Sequence, residues 1–165
     1  MIDSVICARD KHLNPGGLMY PERATIKCAP CSTPRLLDYW DDVYSVKMTA
    51  MKEAARKCLA TKPEITTLQR DDVLCEPRTV MDIDMNTVAV TDVTHVTSRV
   101  FVSTHREGLY QGLAIWFDVT FPGEGVLSTA PSAPVTHWQQ TVVVLPQDQL
   151  VEEGDVLGFE LQFER

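Results

Sequence analysis

Gly112-Leu113-Ala114-Ile115-Trp116-Phe117-Asp118-Val119-Thr120-Phe121, followed at once by Pro122-Gly123, decides how this chain is read. The run is dense in branched and aromatic residues and is cut by a turn pair, the pattern of a buried strand. Working outward, Thr79 to Met85 alternates, and Val88, Val90 and Val93 continue its apolar pattern. Val96 to Ser103, Thr141 to Leu145 and Val156 to Phe163 are further strands by the same criteria. Gly108, Pro131, Pro134 and Gly154 supply the turns between them. Many short strands with turn-rich links predict a sandwich or a barrel.

The first third reads differently. Ile2, Val5, Ile6 and Leu13 fall on one helical face, with Arg9 and Asp10 read as solvent-facing, and Asn14-Pro15-Gly16-Gly17 stops the helix. Leu18 to Pro21 and Ala24 to Cys28 look like short strands. Ser32 is a candidate N-cap with Pro34 in the first turn. Trp40 and Tyr44, four apart, are expected on one packed helix face. A second helical run covers Met48 to Leu59; Met48, Met51, Ala55, Cys58 and Leu59 form its apolar stripe, and Lys52, Arg56 and Lys57 a basic polar face. Met-rich stripes suit adaptable binding surfaces, so this helix is either a protruding arm or a helix packed on its own body.

The chain is therefore expected to be mainly β: a β-barrel-like domain with an N-terminal helical segment and a helical arm. Its 165 residues fit one domain. A net charge of -8 argues against binding nucleic acid directly or anionic membranes. Five cysteines at irregular spacing give no disulfide framework, and Cys28-Ala29-Pro30-Cys31 lacks the second pair of a zinc site, so no metal is expected. Reduced cysteines point to an intracellular compartment. No phosphate-cradling glycine loop, zinc-protease motif or serine-hydrolase elbow occurs. Among the histidines, His137 stands out: beside Trp138, after the stiffening Pro134, it offers a polar contact next to an aromatic wall, groups suited to a cationic planar substrate. From the residues alone, a histidine satisfied at a strand edge is the better reading. Asp118, if buried in its apolar strand, needs a hydrogen-bonded or charged partner.

Several motifs, in order, resemble one family. Arg9-Asp10-Lys11-x-Leu13-x-Pro15-x-Gly17-Leu18 resembles the end of the catalytic domain of protein arginine N-methyltransferases of type I. Tyr39-Trp40-x-x-Val43-Tyr44, then Met48, is similar to the lead into that family's dimerisation arm. Trp116-Phe117-Asp118-Val119, Leu127-Ser128-Thr129-Ala130-Pro131 and Thr136-His137-Trp138-x-Gln140-Thr141 resemble its barrel. The resemblance implies methyl transfer from S-adenosyl-L-methionine to protein arginine in the parent enzyme. Its substrates would be proteins with exposed arginines, histones or Arg/Gly-rich proteins, in the nucleus or cytoplasm. Thr136, His137 and Trp138 would line the substrate pocket, with His137 the catalytic residue of this portion, paired with an acidic residue on an N-terminal helix of the full protein. Tyr44, Met48, Met51 and Leu59 would belong to an arm, residues 42–75, that closes a homodimer. Residues 1–41 would be the end of the catalytic-domain helix and the first barrel strands, and 76–165 the barrel, incomplete at its C-terminus. Gln139 stands where the family commonly carries lysine.

The family's cofactor-binding domain and substrate-binding glutamates have no counterpart in this sequence; the match over Met1 to Val5 sets the opening just after the second glutamate. No cofactor is expected on this chain, and no methyl transfer by it alone. A non-catalytic binding or dimerisation module that assembles with a separate catalytic partner is the alternative. An unrelated small β domain fits the ordered motifs poorly.

Overall fold

A computed structural model describes residues 2–123 and 125–164; Met1 and Arg165, which bear on the two ends of the family match, lie outside them. The 14-residue strand β5 (Gly108–Phe121) is central, as its composition predicts. Antiparallel β1 (Arg23–Cys31) runs along one edge from Arg23↔Thr120 to Cys31↔Gly112. The other edge is shared. β7 (Gln140–Val151) pairs with the first half of β5, and β6 (Gly125–Ser128) folds back on the second half through the Pro122-Gly123 turn, where Gly123 takes φ +85°. β3 (Arg78–Asp84) lies outside β1, and the short β2 (Glu64–Thr66) outside β7. A separate ribbon pairs β4 (His95–Ser103) with β8 (Val156–Glu164) in unbroken register.

Both sheets turn their apolar sides to one core. Val100, Val102 and Leu157 from the ribbon meet Val80, Leu113, Trp116, Val142 and Val144 from the larger sheet. Alternation explains the ribbon: Leu157, Phe159, Leu161 and Phe163 point to the core, while Gly158, Glu160, Gln162 and Glu164 alternate with them. Strands account for 44% of the chain and helices for 23%, so the domain is mixed α/β with strands predominating rather than mainly β. The described ladders do not join the ribbon to the larger sheet, so they do not close a barrel.

Pro30 sits inside a central strand, where a missing N–H ordinarily breaks a ladder. Here β3 has already ended at Cys28↔Arg78, so that edge is free of ladder demands, and the Pro30 carbonyl instead accepts the Leu74 N–H at 3.0 Å. This carries β1 three residues past the expected end.

Four local expectations are corrected. Leu18 to Pro21 is not a strand but an irregular link. Val88 to Val93 leaves the sheet: after a turn at 85–87 it runs irregularly into a 3-10 segment, Val90–Val93, at whose start the Asp92 carboxylate accepts the Ala89 N–H at 2.9 Å. Ser32 is not an N-cap: its hydroxyl donates to the Leu109 carbonyl, and Thr33 opens the four-residue helix α2 (Pro34–Leu37). Arg9 of helix α1 (Ile2–His12) is not solvent-facing, with its side chain only 10% exposed. It donates to the Met85 and Val88 carbonyls at 3.1 and 2.9 Å. Of the expected apolar face only Ile2 and Ile6 pack, with Ile83, Met85 and Val88, while Val5 and Leu13 stay exposed. Among the described residues no helix is long and apolar enough to cross a membrane.

Candidate functional site

Thr136, His137 and Trp138 lie on the connection from β6 to β7, and both ends of that connection are pinned. At its start the Thr129 hydroxyl donates to the Phe117 carbonyl at 2.9 Å and accepts the Phe117 N–H at 3.1 Å. At its end Gln140 is buried and uses both ends of its amide: Nε2 donates to the Thr129 carbonyl, and Oε1 accepts the Leu68 N–H, both at 2.8 Å. Between these anchors the chain turns tightly. The Gln139 N–H donates to the Thr136 carbonyl, and Gln139 takes φ +54°, a left-handed conformation uncommon outside glycine. The Gln139 side chain donates to the Thr67 hydroxyl at 3.1 Å, a polar anchor.

The turn holds the three predicted residues together and sends two of them outward. His137 and Trp138 are exposed, with ring centroids 3.9 Å apart and a tilt of 35°. Trp138 in turn rests edge-on against Phe117, at 5.7 Å and 78°. Phe117 is the supporting residue that its sequence position did not single out; it is one of the alternating residues of β5 and reads as ordinary core. The Thr136 hydroxyl is buried without a hydrogen-bond partner among the described residues. Next to this turn, Asp118 has the partners that its apolar strand demands: Lys27 at 2.8 Å and the Ser128 hydroxyl. Such a surface offers an aromatic wall and a titratable imidazole, the parts needed to hold a flat cation and take up a proton.

The expected arm is divided. Helix α3 (Thr49–Leu59) matches the predicted run, but its inward face is not the Met stripe. Lys52 pairs with Asp38 and Asp41 of the 3-10 segment Asp38–Asp41. Arg56, 8% exposed, donates to Asp148 Oδ1 at 2.5 Å and to the Leu145 carbonyl at 3.2 Å on β7. Two of the three basic side chains therefore face inward, Arg56 onto the sheet and Lys52 onto the 3-10 segment, while Lys57 is exposed. Long stems explain this: an arginine can bury its methylenes while its head reaches a carboxylate at the edge. Met48 and Leu59 are half-buried, whereas Met51 and Cys58 point outward. Tyr44 does not share a helix face with Trp40. The helix has ended by Asp41, and Tyr44 sits at φ +52° in a tight Val43–Val46 turn, 96% exposed; Trp40 packs edge-on against Tyr39 instead.

Among the described residues no group of three histidine, cysteine or carboxylate side chains converges to hold a metal. Burial pushes the Cys28 thiol up to about 12 and the Cys75 thiol to about 11, with Cys31 also raised, so none of the three is a thiolate near neutrality. S-adenosylmethionine-type nucleosides are commonly held where a parallel strand runs through a glycine-rich turn into a helix. All pairings of the described strands are antiparallel, and the residues present do not fit that group.

Comparison with known proteins adds a family. Residues 22–165 match the arginine methyltransferase oligomerization subdomain. The chain is 37% identical over 170 residues to protein arginine N-methyltransferase 6 of Xenopus tropicalis, covering 94% of this chain and 50% of that protein. It is 34% identical over 170 residues to protein arginine N-methyltransferase 2 of Homo sapiens, covering 95% and 39%. Among solved structures, protein arginine methyltransferase 10 of Arabidopsis thaliana superposes with a TM-score of 0.75 at 27% identity, over 96% of this chain and 54% of that one. A chain of the Trypanosoma brucei arginine methyltransferase enzyme-prozyme heterotetrameric complex with AdoHcy superposes at 0.78 and 24% identity, over 97% and 51%, a likeness of fold. The chain spans about half the length, or less, of the relatives it matches.

Proposed function

The chain belongs to the protein arginine N-methyltransferase family, and from that premise we propose that it is a non-catalytic binding and dimerisation module that works with a separate catalytic domain. The observation that carries the reading is the match of residues 22–165 to the oligomerization subdomain, on a fold whose described residues do not fit the cofactor. In this reading residues 42–75 are the arm, residues 76–165 the barrel-like body, and residues 1–41 the junction with the catalytic domain. The exposed Tyr44 and Met51 would seat on a partner, with Met48 and Leu59 rooting the arm in the body. S-adenosylmethionine would be held by the catalytic domain, and proteins with exposed arginines, in nucleus or cytoplasm, would be the substrates.

The Thr136–Trp138 turn supplies what a barrel can contribute to such a reaction. Trp138, braced by Phe117, would form a wall for a guanidinium, and His137, which makes no hydrogen bond or ion pair among the described residues, would pair with an acidic group brought by the partner. That pair would orient the imidazole and help to manage the proton released on methylation. Orientation of the nitrogen toward the methyl donor is the larger part of the catalysis, so a rigid turn is what the module has to offer.

The test has two parts. The purified chain, incubated with labelled S-adenosylmethionine and an arginine-rich peptide, gives no methylation above blank and no saturable binding heat with the cofactor. Adding it to a cofactor-binding domain of an arginine methyltransferase that lacks its own oligomerization subdomain raises methylation. Turnover by the chain alone, or no rise on mixing, overturns the reading.

A further inference from the structure

The turn that carries His137 and Trp138 is fastened to a distant stretch of chain, residues 66–68, at three successive positions. Thr66 pairs with Gln140 at the end of the β2–β7 ladder. The Gln140 side chain accepts the Leu68 N–H at 2.8 Å. Between these two, Gln139 Nε2 donates to the hydroxyl of half-buried Thr67 at 3.1 Å. Carried one step further, the ladder register would set Gln139 opposite Thr67. The left-handed backbone of Gln139, at φ +54°, ends the ladder there, and a side-chain hydrogen bond takes its place.

A residue with a Cβ stays in the left-handed region only where its surroundings over-determine it. Gln139 has two such constraints: its N–H donates to the Thr136 carbonyl at 3.2 Å, and its amide reaches Thr67. The first closes the turn on itself, and only the second ties Gln139 to another part of the chain. Because β7 is fixed from Gln140 onward, the torsions of Gln139 decide where Trp138 points. Trp138 rests on Phe117 at 5.7 Å and carries the His137 ring 3.9 Å away. Neither of these two side chains makes a hydrogen bond among the described residues, so their aim depends on the backbone beneath them. The chain that supplies Thr67 has just left helix α3 at Leu59 and passed through β2. In the function proposed above, that stretch is the returning end of the arm. The Gln139–Thr67 bond therefore joins the surface that would meet a partner to the surface that would meet substrate.

We propose that Gln139 is a positioning residue that, through Thr67, sets the His137–Trp138 pair and makes its geometry depend on the returning end of the arm. Its bearing on methylation rests on the proposed function; the positioning itself does not. Thr67→Val removes the accepting hydroxyl, and Thr67→Ser keeps it. The whole chain, labelled with nitrogen-15, shows three tryptophan indole signals, with Trp40 and Trp138 assigned from their phenylalanine variants. Thr67→Val moves the Trp138 signal and lowers its heteronuclear Overhauser effect, the mark of faster ring motion. The signal of buried Trp116 stays in place, and Thr67→Ser leaves both as they were. Gln139→Leu gives the same change, and the double variant adds nothing to it. An unmoved Trp138 signal, a serine variant that behaves like valine, additive single effects, or an equal shift at Trp116 overturns the proposal. Mixed with the cofactor-binding domain, Thr67→Val lowers kcat roughly tenfold while the sedimenting complex is unchanged, and Thr67→Ser restores the rate. An unchanged kcat also overturns it. No methylation with the unsubstituted chain fails the proposed function instead, and the indole series still decides the positioning role.

Discussion

Gln140 holds two chain segments at once, one through each end of its amide. Replacing it by alanine strands the Leu68 N–H and the Thr129 carbonyl in a buried place. Gln140→Ala is expected to lose about 2–4 kcal/mol, measured as a shift of the urea midpoint. The cysteines make a second prediction at this scale. Cys28, Cys31 and Cys75 are buried with raised thiols, whereas Cys7 and Cys58 are exposed. A thiol-reactive disulfide reagent at pH 8 should therefore titrate two thiols rapidly in the folded chain and all five only in denaturant. A third fast thiol would contradict the packing around β1. Single residues also show where a sequence is silent. His137 and Trp138 are visible as a pair, because adjacency on a Pro-stiffened loop is a local property. Phe117, which braces Trp138, and Thr67, which accepts from Gln139, are not visible, because each is brought in from another part of the chain.

At the scale of elements, the strands were the most legible part. β4, β5 and β8 follow from alternation or dense branched composition, and their bounds fall within a few residues of the pattern. Periodicity misled on α3, because it assigns arginine and lysine to water. A partner carboxylate on β7, far along the chain, reverses that assignment for Arg56. Arg56→Met keeps the stem but removes the head, leaving Asp148 and the Leu145 carbonyl unmet. Asp148 is about one-third exposed and regains water, so the expected loss is modest, about 1–2 kcal/mol by urea titration, with α3 exchanging its amide hydrogens faster than β5. The β5–β7 pairing carries a sharper constraint. A Cβ at Gly112 would lie 2.8 Å from Val142 Cγ1 and 3.0 Å from the Val143 carbonyl oxygen, next to the register shift between Tyr110 and Gly112. Backbone on a central strand cannot yield as a side-chain tip can. Gly112→Ala is expected to cost about 1–3 kcal/mol in the same assay.

For the whole molecule, two sheets share one core, and two exposed features remain on opposite kinds of structure. The Thr136–Trp138 turn is pinned at both ends by buried hydrogen bonds, while the Tyr44 turn is held mainly by its own backbone and by Asp42. A rigid surface suits substrate positioning, and an exposed aromatic on a narrow turn suits insertion into a partner. The resemblance of the ordered motifs supplied the family before any geometry, and the oligomerization-subdomain match agrees with it. The expected barrel is not closed by the described ladders: β4 and β8 pair with each other and not with the larger sheet, a long-range choice that composition does not encode.

In the proposed function, residues 42–75 would assemble the chain with a catalytic domain. Sedimentation velocity of this chain, mixed with a purified S-adenosylmethionine-binding domain of an arginine methyltransferase, tests it most directly. A complex heavier than either component is expected, lost in the Tyr44→Asp, Met51→Asp double variant, whose own sedimentation and circular dichroism stay those of the folded chain. Two independent boundaries at every ratio, or a complex unchanged by the double variant, would contradict it.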